Sequence, residues 1–401
     1  ENLDEMSCST LGLGDGTLSC KDTCRFDISL CELAVECGDD VAASPYETCD
    51  GTDLDDQTCE SQGFHRGDLA CNAECTEFDT SGCTNCGNGD VDDGETCDGA
   101  NLDGQTCVTQ GFGSGTLACN DGCTGFVTTG CSMNYLSPNI GTMIYVPAGT
   151  FQRDATSTNL SVVSAFRLSE HEITRAQWTA VTGWADPSNV TYSSGTSDPV
   201  QMVNWYDAIA FCNKLSILEG LTPVYAVSGV DFAALTYAQI PASSNTPWNE
   251  ATANWAADGY RLPTEMEWMW AAMGADTAAP GLTNTTGYAK AFAGSTGTNV
   301  IDDYAWYTTN SGGKSHPVGT RLENELGFHD LSGNIYEWAW DWYAAYATGT
   351  QTDYRGPGAG AGRVARGGNW YGAASNCSVA DRYYGNPYSR NYYIGFRVVR
   401  P

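Results

Sequence analysis

Sixteen of the 18 cysteines lie at or before Cys131, which leaves Cys212 and Cys377 as the thiols of everything that follows. Such a density in a short acidic segment points to disulfides formed in an oxidising, extracytoplasmic compartment. Acid–base chemistry is sparse by comparison. The four histidines are His65, His171, His316 and His329, and none sits at HxxxH or HxH spacing for a shared metal. His316 precedes Pro317 and His329 precedes Asp330, a setting that suits turns and packing better than ligation. No GxSxG, P-loop or GxGxxG segment is present. The most informative stretch is 366–400, RGGNWYGAASNCSVADRYYGNPYSRNYYIGFRVVR. It holds six of the 21 tyrosines, at Tyr371, Tyr383, Tyr384, Tyr388, Tyr392 and Tyr393, interleaved with Asn, Ser, Gly, Ala and Asp. In a core, each of those phenols and amides would need a buried partner. On a surface, Tyr supplies large amphipathic area at low rotamer cost, and Ser, Gly and Asn supply adaptable polar contacts. The chemistry indicated is recognition.

Hard oxygen ligands form a second group. Gly87–Gly99, GNGDVDDGETCDG, sets Asp90, Asp92, Asp93 and Glu95 among glycines, a composition that suits calcium although the spacing departs from an EF-hand loop. The rival reading is solvated turns on a spacer.

The elements that must carry these residues fall into an arm and a large domain. In the arm, Cys37, Cys49, Cys59, Cys71, Cys75 and Cys83 repeat as Cys86, Cys97, Cys107, Cys119, Cys123 and Cys131, with an offset of 48 from the second cysteine to the fifth. ETCDG, QTC and GF..G.LAC repeat with them. Upstream, Cys8, Cys20, Cys24 and Cys31 match the last four cysteines of a module, and GLGDGTLSC stands where GF..G.LAC stands. Either an earlier part was cleaved or the first module is a half whose four cysteines pair among themselves. The expected units are therefore 1–36, 37–84, 85–132 and 133–401. Each repeat is too small and polar for a self-sufficient core, so disulfides must hold it, in any of 15 pairings for six cysteines. Zinc at the Cys83–Cys86 CxxC is the alternative, but that pair straddles a module boundary.

Charge sets the partners. The chain has 18 Lys and Arg against 49 Asp and Glu, a net charge of −31 that repels nucleic acid and anionic membranes and favours divalent cations. Most of it lies in 1–131, where 27 acidic residues face Lys21, Arg25 and Arg66. No run of 18 apolar residues is present to span a bilayer. The chain starts at Glu1 without an apolar export segment, so export requires a signal peptide removed or not shown.

From Met133 the composition turns apolar and aromatic. MIYVPAGTF reads as a strand broken by Pro-Gly, SVVSAFRLS alternates like a strand, and Thr174 caps a helix in EITRAQWTAVTG. VNWYDAIAFCNKLSILEG is an amphipathic helix with Trp205, Ala208, Ile209, Cys212 and Leu215 on one side and Gly220 at its end. Cys212 therefore reads as a small buried hydrophobe. A third helix spans Thr264–Met273, with Thr264 and Glu267 as its capping box. Tyr336, Trp338, Trp340 and Trp342 share one parity, a strand-like stripe beneath the binding segment. The prediction is an α+β domain with much irregular loop.

PAGTF, EIT at 172–174, PVQMVNWYDAIAFCNKLS, GYRLPTEMEW, HPVGT, ENELGFHDLSGNIYEW, RGGNW and GFRVV occur in the order seen in formylglycine-generating-enzyme-like domains, which 140–400 resembles along its length. The resemblance implies a variant of the C-type lectin fold. It also implies a place for a cysteine pair in a pattern like RGGS..C....C, whose copper(I) site oxidises a substrate cysteine. Here the first position is Gly372 and the second Cys377, so one thiolate is lacking and no copper is expected. Catalysis is not expected. Asn324, Asn334 and Glu337 lie where that family binds structural calcium. The competing reading places Asn334 in a left-handed turn beside Gly333 and Glu337 against an arginine. The arm, in turn, resembles cysteine-rich repeats of bacterial surface proteins with a CGNG...GE.CD pattern, which implies a stalk or display element.

The end of the chain resembles a subset more closely, the variable proteins diversified by retroelements that mutate adenines, with a frame RGGSW....NC..A.R....P..R....GFR. The matching frame is Arg366-Gly367-Gly368, Trp370, Asn376-Cys377, Ala380, Arg382, Pro387, Arg390 and Gly395-Phe396-Arg397. The exchangeable positions it implies include Tyr371, Gly372, Ala373, Ser375, Ser378, Asp381, Tyr383, Tyr384, Asn386, Tyr388, Asn391, Tyr392 and Tyr393, within the segment 366–397. Arg382, Arg390 and Arg397 are expected to tie loops to carboxylates, with Trp370 and Phe396 turned inward and the tyrosines outward. The expectation is a secreted or surface-displayed binder of a protein or cell-surface ligand. The alternatives are a copper oxidase and a structural protein that self-associates into oligomers or fibres.

Overall fold

The computed structural model describes residues 3, 6–11, 15–31, 37, 38, 40–42 and 47–401. Residues 12–14, the start of GLGDGTLSC, lie outside them. Two compact units emerge: Glu1–Gln110 with Gly115–Cys131, and Gly111–Ser114 with Ser132–Pro401.

In the first unit the disulfides follow one pattern. Cys37–Cys75, Cys49–Cys71 and Cys59–Cys83 are matched by Cys86–Cys123, Cys97–Cys119 and Cys107–Cys131. The first cysteine thus joins the fifth, the second the fourth and the third the sixth. Each closed loop contributes roughly 3 kcal/mol by constraining the unfolded chain. The upstream half keeps only the third-to-sixth bond, Cys8–Cys31. Cys20 and Cys24 are free thiols, so the alternative in which all four pair among themselves is not what the structure has. The reason is topological: they occupy the fourth and fifth positions, which in the full modules bond the second and first cysteines. Cys24 even keeps the left-handed backbone of Cys75 and Cys123, with φ of 61°, 54° and 55°. Among the described residues, secondary structure here is a 3-10 turn at Ser9–Leu11 and two-residue strands such as Ala70–Cys71 paired with Phe78–Asp79.

The second unit is α+β. Strands β1 (Tyr135–Ser137), β2 (Gly141–Val146), β3 (Gly149–Gln152), β4 (Leu160–Val163) and β5 (Phe166–Ser169) come first. Helices α1 (Arg175–Thr182), α2 (Trp205–Leu218) and α3 (Glu265–Ala272) follow. The chain closes with β6 (Tyr336–Trp342), β7 (Gln351–Thr352), β8 (Arg363–Arg366), β9 (Tyr383–Gly385), β10 (Ile394–Gly395) and β11 (Val399–Arg400). One sheet is ordered β1-β2-β5-β11, a second β3-β4-β7, and the third β9-β8-β6-β10. The third carries the terminal segment, because 366–397 leaves β8 and returns to the same sheet twice, as its edge strand β9 and as β10.

These three helices, the longest among the described residues, begin with reciprocal capping boxes: Thr174 with Gln177, Asn204 with Asp207, and Thr264 with Glu267. Around α2, Trp205, Ala208, Ile209, Cys212 and Leu215 are fully buried and pack with Trp178, Trp338, Ile394 and Phe396. A second core gathers Trp268 and Trp270 of α3 with Phe151, Phe166 and Leu168. Alternation does not sort β6 by burial, since Trp340 and Trp342 of the stripe are half-buried. Glu337, Ala339 and Asp341, on the opposite parity, are as inaccessible as Trp338. The guanidinium of Arg363 lies 3.7 Å from the ring of Trp205 and 3.8 Å from that of Trp342.

Candidate functional site

The terminal segment is fastened by three bidentate ion pairs. Each carboxylate comes from a different element. Arg382 grips Glu265 at the start of α3 at 2.6 and 2.7 Å, and Arg390 grips Asp207 in the first turn of α2 at 2.7 and 2.8 Å. Arg397 grips Glu337 of β6 with two bonds of 2.7 Å, both side chains fully buried. Burial raises the Asp207 carboxyl, against the pull of Arg390. Such planar forks fix geometry as well as charge.

Between these pairs the segment is held largely through its backbone. The carbonyls of Pro387 and Asn391 accept from the amides of Trp205 and Met202, each at 3.0 Å. The carbonyl of Tyr388 accepts from Asn204, that of Tyr392 from the Trp370 indole and that of Tyr393 from the Tyr336 amide. Arg366, itself buried, donates to the carbonyls of Val379 and Asp381. Gly395 lies so close to Val200 that a Cβ there would sit 2.3 Å from the Val200 carbonyl oxygen. Trp370 and Phe396 are turned inward as expected.

The tyrosines are less uniformly outward than predicted. Tyr371 and Tyr384 are 66% and 51% exposed, whereas Tyr383, Tyr388, Tyr392 and Tyr393 are half-buried. The rings of Tyr371, Tyr383, Tyr392 and Tyr393 form a connected band, with Tyr384 in a separate pair. Tyr371 meets Trp370 edge-on at 5.6 Å, Tyr392 stacks on Tyr192 at 4.3 Å, and Tyr393 meets Tyr392 at 5.3 Å. Tyr383 stacks on Tyr336 at 4.7 Å and faces Tyr393 edge-on at 6.4 Å, while Tyr384 stacks on Tyr343 at 4.5 Å. Burial pushes the Tyr393 phenol up to about 12, with Tyr383 as a further cause. Aromatic pairs of this kind rigidify a contact surface. Ala373, Ser375 and Asn386 are exposed between the rings. Gly372, Ser378, Asp381 and Asn391 are partly so. Asp381 accepts from the Tyr336 hydroxyl at 3.5 Å, and burial raises its carboxyl. Tyr192 joins the band, and Tyr343 the pair with Tyr384, without any sequence signal, because only folding brings them beneath the segment.

Cys377 is buried beside Ala305 and Tyr307. Burial and then the Asp381 charge push its thiol up to about 12, and burial likewise raises Cys212.

The oxygen ligands expected for calcium are committed elsewhere. Both Glu337 oxygens receive Arg397, and one also receives the Trp268 indole. The Asn334 amide is engaged on both sides by the backbone of His316, and its φ is 57°, beside Gly333 at 83°. The Asn324 oxygen accepts the amides of Leu326 and Phe328. These three do not fit a shared cation. In the arm, Asp90 and Asp93 are exposed, the Asp92 carboxylate accepts from Asn88, and Glu95 accepts the Asp92 amide. The carboxylate that organises this loop is Asp98, unremarked in the sequence, which is buried and accepts the amides of Gly87, Asn88 and Gly89. Glu95 and Asp98 approach Cys123, and Asp50 approaches Cys37 and Cys75, but those sulfurs are in disulfides.

Residues 133–401 match the family described as the sulfatase-modifying factor enzyme 1-like domain. The chaperone protein LppX of Paenibacillus barcinonensis is 31% identical over 59% of this chain and 81% of its own length. The formylglycine-generating enzyme of Streptomyces coelicolor is 36% identical over 38% of this chain, which spans half of that enzyme's length. Among solved structures, Treponema denticola variable protein 1 superposes with a TM-score of 0.59 and 38% identity, covering 67% of this chain and 98% of that one.

Proposed function

The chain belongs to the sulfatase-modifying factor enzyme 1-like family, and within it we propose a non-catalytic, extracellular or cell-surface receptor that binds a protein ligand through its tyrosine band. The fold is read as the C-type lectin variant of that family. The disulfide-braced, acidic arm is read as a display element. One observation carries the proposal: exposed aromatic and small polar side chains sit on a backbone that buried arginine–carboxylate pairs hold fixed. A rigid scaffold presenting Tyr, Ser, Asn and Gly is the physical recipe of a paratope. Likeness to a protein named as variable supports reading Tyr371, Gly372, Ala373, Ser375, Ser378, Asp381, Tyr383, Tyr384, Asn386, Tyr388, Asn391, Tyr392 and Tyr393 as the exchangeable set. A reverse-transcriptase gene nearby, with an adenine-rich near-copy of codons 366–397, is the observation that tests diversification.

Relatives named as formylglycine-generating enzymes favour a second reading, a copper-dependent oxidase. Gly372 and the buried, high-pKa Cys377 oppose it. Copper(I) titration separates the two. The receptor reading expects no tight stoichiometric binding, and binding that disappears in Cys377→Ala would overturn it.

A further inference from the structure

The upstream half of the arm keeps the framework of a module around two unpaired thiols. Ser19–Cys20 pairs with Phe26–Asp27 as Ala70–Cys71 pairs with Phe78–Asp79. The Cys24 amide closes on the Lys21 carbonyl at 2.8 Å, as Cys75 closes on Asn72 at 3.1 Å and Cys123 on Asn120 at 3.0 Å. The Cys31 amide meets the Ile28 carbonyl at 3.1 Å, as Cys83 meets Thr80 at 2.9 Å. With the Cys8–Cys31 bond and the left-handed backbone at Cys24, these contacts shape the half in advance of any occupant.

What differs is the cover. Cys75 and Cys123 are 1% and 0% exposed, whereas Cys24 is exposed and Cys20 half-buried. Phe26 is 43% exposed, whereas Phe78 and Phe126 are half-buried. The covering piece is alike in both full modules: segments 37–51 and 86–99, whose two cysteines bond the fifth and fourth positions. It docks by its backbone as well, since the Thr48 amide donates to the Cys75 carbonyl at 2.9 Å and the Thr96 amide to the Cys123 carbonyl at 2.7 Å. Among the described residues no amide is bonded to the Cys24 carbonyl. The piece also organises itself, through the buried Asp98 on the amides of Gly87, Asn88 and Gly89. Charge points the same way. Lys21 and Arg25, both exposed, flank the free thiols where the full modules have Asn72, Thr76, Asn120 and Thr124, and they suit an acidic occupant.

We propose that Cys20 and Cys24 form a two-thiol acceptor for a donated polypeptide segment with the chemistry of 86–99, acidic, glycine-rich and carrying a cysteine pair at the spacing of Cys86 and Cys97. The donor's leading cysteine bonds Cys24 and its trailing cysteine bonds Cys20. Each bond forms as two thiols give up their protons and pass two electrons to a disulfide oxidant such as oxidised glutathione, which leaves as two reduced molecules. Once one bond is made, the second closes within a single molecule. The test incubates the full chain with the synthetic peptide CGNGDVDDGETCDG in a glutathione redox buffer and maps unreduced digests by mass spectrometry. The expected product is a one-to-one adduct with the peptide's first cysteine on Cys24, its second on Cys20, and neither thiol open to iodoacetamide. Cys20→Ser and Cys24→Ser should each keep one bond and release the peptide at roughly tenfold lower reductant. Neither residue takes part in the Cys8–Cys31 bond, and its presence in the same digest shows that the variant half is folded. Crossed pairing, a Cys20–Cys24 bond that closes in preference to the adduct, or equal capture of a peptide with the same residues in scrambled order would overturn the acceptor.

Discussion

The guanidinium of Arg390 closes on both oxygens of Asp207, and the same Asp207 carboxylate receives the Asn204 amide that opens α2. One residue of the terminal segment is therefore tied to the start of α2. Arg390→Ala strands a fully buried carboxylate, and removing one partner of such a pair costs about 3–5 kcal/mol. Urea unfolding of the head should show that loss. A change below about 1 kcal/mol would mean the pair is not part of the frame.

Exposed and half-buried tyrosines should separate experimentally. Tyr371→Ala and Tyr384→Ala are expected to leave the unfolding midpoint within about 0.5 kcal/mol of wild type. If they are hot spots, each weakens ligand binding by about 2 kcal/mol. Tyr383→Ala and Tyr393→Ala remove packed rings and should lower stability by about 1–2 kcal/mol as well. Equal stability losses for all four would place the whole band in the core.

Thiol chemistry should sort by environment. Iodoacetamide applied to the folded chain near pH 8 is expected to label Cys20 and Cys24, and to reach Cys212 and Cys377 only after denaturation. The folded Cys377 thiol, raised from an ordinary 9.0 to about 12, keeps its proton where the unfolded chain has lost it. Its contribution is intact below pH 9.0 and is lost as pH rises towards about 12. Cys377→Ala should lose less stability than wild type across that window. Parallel curves for the two proteins would contradict this.

Reduction should act on one unit. All seven disulfides among the described residues join cysteines at or before Cys131. Dithiothreitol is therefore expected to open the arm and leave the head's thermal transition in place. A head transition that shifts with the reductant would show that the arm's bonds support it.

Much of this was legible in sequence because the signals are local. Thr174 and Thr264 sit three residues before their capping partners, and Arg382, Arg390 and Arg397 stand in a recognisable frame. The rest was not legible because it arises from distant pairings. Nothing near Glu265 or Asp207 marks it as the partner of Arg382 or Arg390. Tyr192 joins the band, and Tyr343 the pair with Tyr384, only through the fold. Cys20 and Cys24 fit a repeat whose pairing rule emerges only from the two complete modules. Glu337 offered a hard ligand by type, yet the preorganised fork of Arg397 occupies it.

Between its ion pairs the segment is held in shape largely through the carbonyls of Val379, Asp381, Pro387, Tyr388, Asn391, Tyr392 and Tyr393. A carbonyl is common to all twenty amino acids. The bonds that fix the shape of this surface therefore do not read the letters written on it, and many rewritings of those letters can inherit one shape.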